Sequence, residues 1–323
     1  MNLASGSDAH ALAGTGNGAE HEPLGPDLQK AVWIASYPKS GNTWVRVFLH
    51  NLLRELHGQA EGPQDINALH EMTARESLKE AFERRLGKPA AEASPAEIAG
   101  VRMQVQADLV HGTERPVYIK THNSVATVEG FPTINFNITL AAIYIVRNPL
   151  DVAVSYAHYS GLSPDPVIAH MTDPSGNIGF SNRRVWEFMG SWSFHAASWM
   201  SVPHRPVLLL RYEDMLAAPE RSFGRLAAFL RFKPDSDQLR RVIEKSSFAE
   251  MARQEEQRGF NERPNTAEKF FRTGKAGQWR EALSQDQIGA IVSAHGPMMM
   301  RFGYLPEDCG YSNPAATSAE AGS

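Results

Sequence analysis

Residues 33–53 read WIASYPKSGNTWVRVFLHNLL, and two kinds of structure meet inside them. The stretch opens with the apolar residues that a buried strand uses. From Trp44 onward apolar residues recur at helical spacing, with Trp44, Phe48, Leu52 and Leu56 on one side and Val45, Leu49 and Leu53 beside them. The join, Pro38 to Thr43, carries one cation, one glycine and three short hydrogen-bonding side chains. A strand, a tight turn and a helix bring free backbone N–H groups and the positive end of the helix dipole to one point, which suits a phosphate or sulfate. An ordinary βα turn with a solvated lysine has the same outline. In the nucleotide loop G-x-x-x-x-G-K-[ST] the lysine follows the final glycine, whereas here Lys39 precedes Gly41. The turn alone specifies an anion, with a nucleotide as one candidate.

Working outward, three more apolar runs read as strands: PVYIK (116–120), LAAIYIV (140–146) and PVLLLRY (206–212). All are continuous, as parallel strands covered on both faces should be. Helical patterns separate them. Residues 66–86 place Ile66, Leu69, Met72, Leu78, Phe82 and Leu86 at helix-compatible spacings. Ser94, Pro95 and Glu97 form an N-cap, an N1 proline and an N3 glutamate ahead of a helix running to about Val110. Residues 219–231 form another amphipathic run. Strands alternating with helices predict an α/β fold: one domain over residues 29–310, a central parallel sheet flanked by helices, and ligands at the carboxyl ends of the strands. Residues 1–28 and 311–323 read as flexible tails.

Composition narrows the function. The chain has 323 residues, 42% of them hydrophobic, enough for a core and too many for a disordered chain. A net charge of −4, with Lys and Arg scattered, excludes a nucleic-acid surface. The single cysteine, Cys309, cannot pair internally, and together with the lack of a signal-peptide pattern this predicts a cytoplasmic protein. No stretch approaches a membrane span.

A second strand-turn-helix, IYIVRNPLDVAVSYAHY (143–159), puts Arg147 at a strand end and Ser155 under two turns into a helix begun by Pro149. The two side chains could meet at one anion; alternatively Arg147 pairs with Asp151 and Ser155 is simply a helical serine. Taken together, the two stretches resemble the cytosolic-type sulfotransferases, whose donor is 3′-phosphoadenosine 5′-phosphosulfate (PAPS). The resemblance covers most of residues 31–305 and rests on six motifs in the family's order. It implies that YPKSGNTW holds the 5′-phosphosulfate through Lys39, Ser40, Gly41, Asn42, Thr43 and Trp44, and that Arg147 and Ser155 form the 3′-phosphate site. YIKTH (118–122) is similar to the segment bearing the catalytic histidine, here His122, with Lys120 at the reacting sulfuryl group. RYEDM supplies Tyr212. SSFAEM resembles the adenine segment, with Ser247 and Phe248. FFRTGKAGQW resembles the late motif over the 3′-phosphate, with Arg272, Thr273 and Gly274. Tyr159 matches an aromatic that lines the acceptor pocket, whose walls are expected from the helical segment 62–112 and the loop 252–270.

The sequence departs from the family pattern in two places. Asn42 stands where Thr is common, and Thr273 replaces a lysine, which removes one cation near the 3′-phosphate and should weaken donor binding. The family's C-terminal dimer motif is not evident, so the oligomeric state is left open. The chemistry suits the residues. Sulfuryl transfer, like phosphoryl transfer, is an in-line displacement needing positioning and positive charge, here Lys39, Lys120 and the 39–44 backbone. A histidine can take the acceptor's proton. Twelve histidines include no H-E-x-x-H, and one cysteine makes no thiolate cluster, so no metal is expected. The expected acceptor is a small molecule, glycan or lipid with a hydroxyl, or secondarily an amine, and the product nucleotide is adenosine 3′,5′-bisphosphate (PAP). A kinase of related fold and a non-catalytic nucleotide-binding protein are the alternatives.

Overall fold

The computed structural model describes residues 30–307 except position 60; the two terminal stretches read as tails lie outside these residues. In chain order the strands are β1 (Ala31–Ser36), β2 (Thr73–Arg75), β3 (Val117–Thr121), the two-residue β4 (Thr127–Val128) and β5 (Phe131–Pro132), β6 (Thr139–Val146), the two-residue β7 (Asn177–Ile178) and β8 (Glu187–Phe188), and β9 (Val207–Arg211). The helices are α1 (Asn42–Leu56), α2 (Lys79–Leu86), α3 (Pro95–Asp108), α4 (Pro149–Ser160), α5 (Pro164–Thr172), α6 (Trp192–Met200), α7 (Tyr212–Ala217), α8 (Pro219–Phe229), α9 (Ser236–Lys245), α10 (Phe248–Arg258), α11 (Trp279–Ala282) and α12 (Gln285–Phe302).

Five strands form one sheet in the order β2-β3-β1-β6-β9, and every pairing in it is parallel. The expected α/β fold with a central parallel sheet is therefore what the chain adopts. β1 is buried at every residue, as a strand with helices on both faces must be. On one face Trp33 and Tyr144 pack with Trp192 and Trp199. On the other, Ile34 and Ile143 meet Phe48, Leu49 and Phe223. Phe48 stacks on Phe223 with ring centroids 4.2 Å apart. Val45, Phe48, Leu49 and Leu52 of α1 are fully buried, each contributing about 1.5–3 kcal/mol toward docking the helix.

The predicted N-cap of α3 is present in full: the Ser94 hydroxyl accepts the Glu97 N–H, and the Glu97 carboxylate accepts the Ser94 N–H at 2.9 Å. Residues 66–86 are not one helix. They form a 3-10 turn (Ile66–Glu71), edge strand β2 and then α2. Thr73 to Arg75 pair with Tyr118 to Lys120, while the buried Thr73 hydroxyl bonds His50 Nε2 at 2.8 Å. Pairing with β3 outweighs the helix-compatible spacing, which extended backbone can also satisfy over so short a stretch. The segment 252–270 is likewise only partly a loop, because α10 runs on to Arg258.

The register aligns the carboxyl ends of the three central strands. Ala35 sits beside Thr121 and Ser36 beside Ile145, so the residues that follow, Tyr37, His122 and Arg147, emerge along one edge. Among the described residues no helix is long and apolar enough to cross a membrane.

Candidate active site

A cleft of about 610 Å³ opens at this edge. Its floor is the turn between β1 and α1. Lys39 adopts a left-handed backbone (φ 67°) and Gly41 another (φ 109°). A Cβ on Gly41 would stand 2.9 Å from Tyr212 Cδ2, so close approach and conformation both demand glycine here. No side chain caps α1, and its first turn holds no acid. The N–H groups at that end thus remain available to an anion.

Lys39 Nζ lies between two rings, 4.2 Å from the Tyr159 centroid and 4.0 Å from that of Phe270. Burial there, reinforced by the Arg147 charge, lowers its pKa to about 7. Thr43 and Trp44 line the cleft, whereas Ser40 is buried beneath it with no partner for Oγ among the described residues. Asn42 also lines the cleft. Its side-chain N–H₂ donates to the Ile34 carbonyl at 2.9 Å, so it clamps the helix start to β1.

Arg147 does not pair with Asp151. Its guanidinium donates to the carbonyls of Lys39 and Lys275, both at 3.1 Å, and lies 4.3 Å over the Tyr212 ring. Nε is buried without a partner, and no carboxylate among the described residues neutralises the charge. Asp151 instead accepts the N–H groups of Gly277 (2.6 Å) and Trp279 (3.2 Å), pinning the late motif onto α4. Ser155, Arg272, Thr273 and Gly274 line the cleft beside Arg147. Burial and the Arg147 charge lower the Arg272 pKa, as two cations without an intervening anion require. The Phe248 ring packs against Gly274, where a Cβ would come within 2.3 Å of it. Ser247 is off the wall and caps α10 by accepting the Glu250 N–H.

Toward β3 the cleft is lined by Lys120 and His122. His122 Nδ1 lies 2.7 Å from the Ser36 carbonyl, which can only accept. Nδ1 therefore carries the proton, and Nε2 is left with its lone pair free. Burial, with the Lys120 charge second, lowers the imidazole pKa to about 3, so the ring is neutral. Burial also brings Lys120 down to about 8, with Glu187 and Glu262 opposing the shift. The Glu187 carboxylate holds the His122 N–H at 2.8 Å, and the His122 carbonyl accepts from His195 Nε2 at 3.1 Å. His195 Nδ1 is then the acceptor for the Tyr144 hydroxyl at 3.0 Å, which fixes the backbone on which His122 sits.

Several wall residues have no role assigned by the sequence: Tyr156 and Phe270, which lie within quoted motifs, and Glu262 and the 181–184 turn, which do not. Glu262 is held by Arg46 at 2.9 Å and by Arg75. Among the described residues no cluster of His, Cys, Asp and Glu could hold a metal ion.

Comparison with known proteins gives one answer. Residues 29–303 match the sulfotransferase domain. Bovine Sulfotransferase 1A1 is 28% identical over 294 residues, spanning 85% of this chain and 86% of that protein. Dog Sulfotransferase 1B1 is 28% identical over 275 residues, spanning 79% and 78%. Among solved structures, a retinol dehydratase in complex with androsterone and inactive cofactor PAP superposes with a TM-score of 0.58 at 19% identity, over 89% of this chain and 83% of that one. A mouse sulfotransferase complexed with PAP gives 0.54 at 20% identity, over 91% and 88%. The structural matches establish a common fold and the domain match establishes the family: this chain belongs to the sulfotransferases, enzymes of sulfuryl transfer.

Proposed function

We propose that the donor is PAPS, that it occupies the cleft between the 39–44 turn and Arg147, and that His122 is the general base toward a hydroxyl acceptor. The observation that carries this reading is the 2.7 Å contact of His122 Nδ1 with the Ser36 carbonyl, which aims a free Nε2 lone pair into the same cleft as Lys39 and Lys120. The residues fit the donor. An uncapped helix N-terminus, the partly orphaned Arg147 guanidinium and the exposed Arg272 offer positive charge at two separate places, as a nucleotide with a 5′-phosphosulfate and a 3′-phosphate requires. Phe248 offers a ring face for the base.

Bound PAPS supplies an activated sulfuryl group whose leaving group is a phosphate oxygen of PAP. Lys39 and the N–H groups of the turn stabilise the charge that builds on that oxygen, and Lys120 that on the peripheral sulfuryl oxygens. His122 Nε2 accepts the acceptor's proton as its oxygen bonds to sulfur. Glu187 and His195 hold the His122 backbone, so the imidazole needs no reorganisation.

Replacing His122 tests the assignment. His122→Ala should lower turnover ~10²–10⁴-fold with PAP affinity near that of the parent. Raising the pH should partly restore turnover of phenols, which ionise, and not of alkyl alcohols. Turnover should continue in EDTA. A variant that keeps full activity would remove His122 from the chemistry, and a strict Mg²⁺ requirement would favour a kinase.

A further inference from the structure

The acceptor side of the cleft is charged. Beyond His122 its wall is formed by Arg75, Lys120, Arg183, Arg184 and Arg263, against Glu262, the one carboxylate among the described residues that line the cleft. Glu262 is already shared by Arg46 and Arg75, and Arg263 faces the buried Glu255 at 3.5 Å. Arg183 and Arg184 have no ion pair among the described residues. Among the described residues the Arg183 guanidinium meets only the Asn261 carbonyl at 3.4 Å, and Arg184 Nε is buried without a partner.

These two arginines are held in place. The Ser181 hydroxyl accepts the N–H groups of both Arg183 and Arg184 at 3.2 Å, closing a tight turn. That turn is stapled to 77–79 by two backbone hydrogen bonds, Lys79 N–H to the Arg183 carbonyl at 3.1 Å and Val185 N–H to the Ser77 carbonyl at 3.0 Å, which together form an antiparallel bridge between Leu78 and Arg184. Arg184 also lies beside the Tyr159 hydroxyl, whose ring covers Lys39, so it stands near the place where the acceptor must present its oxygen. A neutral apolar acceptor packed on this wall would take water from the half-buried Arg184 guanidinium and offer it no charge in return, while the buried Glu187 that it senses is already engaged by the Lys120 charge and the His122 N–H. An anion would supply that counter-ion in the planar, two-pronged form that arginine matches.

We propose that the acceptor is anionic, carrying a carboxylate or phosphate that rests on the Arg183–Arg184 turn while its hydroxyl lies at His122. This rests on the sulfuryl-transfer reading above and adds the acceptor's class. Transfer follows the same balance: the acceptor oxygen bonds to sulfur, its proton passes to His122, and the bond from sulfur to the PAP phosphate oxygen breaks with its electrons.

The test uses the PAP-loaded full chain and two pairs of probes matched in shape, each with and without charge. These are 4-hydroxyphenylacetate against its methyl ester, and glycerol 3-phosphate against glycerol, titrated by calorimetry. The charged member of at least one pair should bind about tenfold tighter or more, as charge-assisted pairing warrants; which pair responds separates carboxylate from phosphate. Arg184→Ala should bring the two members close to parity, and Arg184→Lys should keep part of the preference. PAP affinity, measured beforehand by titrating PAP into each unloaded variant, reports whether it has folded. Equal or tighter binding of the neutral members would overturn the proposal, as would a preference that survives both Arg184→Ala and Arg183→Ala. So would failure of both charged probes to bind a PAP-loaded protein. Failure of PAP itself to bind would instead bring down the donor reading, and this inference with it.

Discussion

Two lysines lining the cleft are weakened cations before any ligand arrives. Lys39 has a pKa of about 7 and Lys120 of about 8, both lowered first by burial. A lysine with a lowered pKa is charged below that value and neutral above it, so the free protein loses its attraction for an anionic donor as pH rises through 7 to 8. Binding the donor must then restore the protons. PAP affinity should fall above pH 7, by up to ~10-fold per pH unit for each proton taken up. Calorimetry at pH 8.5 in buffers of different ionisation enthalpy should show net uptake, reduced in Lys39→Met. Uptake unchanged by that substitution would assign the proton elsewhere. At this scale the sequence shows which residues carry charge and hides what they face. Lys39, His122 and Arg147 announce themselves because each follows a strand, and Lys120 because it stands near the end of one. Glu262, Arg183 and Arg184 lie in irregular segments far along the chain, and Glu187 in the two-residue β8; only tertiary packing brings the first three to the cleft and the last behind His122.

The turn between β1 and α1 works because of its backbone. Gly41 holds φ at 109° with the Tyr212 ring against it. Gly41→Ala adds a methyl in a conformation that L-residues avoid, and the ring cannot retreat far because it packs edge-on to Trp44 with centroids 5.8 Å apart. PAP affinity should drop at least ~10-fold, with a thermal midpoint lowered by a few degrees. Wild-type affinity in this variant would mean that the turn is not the anion cradle. Elements are legible when local rules and tertiary pairing agree. The capping box of α3 and the Pro149 start of α4 agree, and both helices form there. Residues 66–86 do not: their apolar spacing fits a helix, yet Thr73–Arg75 is taken up as the edge strand beside β3. Nothing local records that β3 needs a neighbour on that side.

Across the molecule, continuous apolar strands alternating with helices made the parallel sheet readable, because a strand covered on both faces leaves no polar alternation. The polar network behind the site was not readable. Buried Glu76 binds Arg102 at 2.9 Å and also holds Thr121 and Asn123, tying α3 to the end of β3 that presents His122. Arg102→Ala would strand that carboxylate and should cost ~3–5 kcal/mol, a large share of the ~5–15 kcal/mol of a typical domain. Denaturant unfolding would check it, and a loss under 1 kcal/mol would show Glu76 to be protonated and content without its partner. The central claim is that this cleft reads a nucleotide by its 3′-phosphate, through Arg147. The direct measurement is calorimetric titration with PAP and with adenosine 5′-monophosphate, which differ by that phosphate alone, on the parent and on Arg147→Ala. PAP should bind the parent at least ~10-fold tighter, and the substitution should bring the two ligands close to parity. Equal affinities in the parent, or equal losses for both ligands in the variant, would contradict the account.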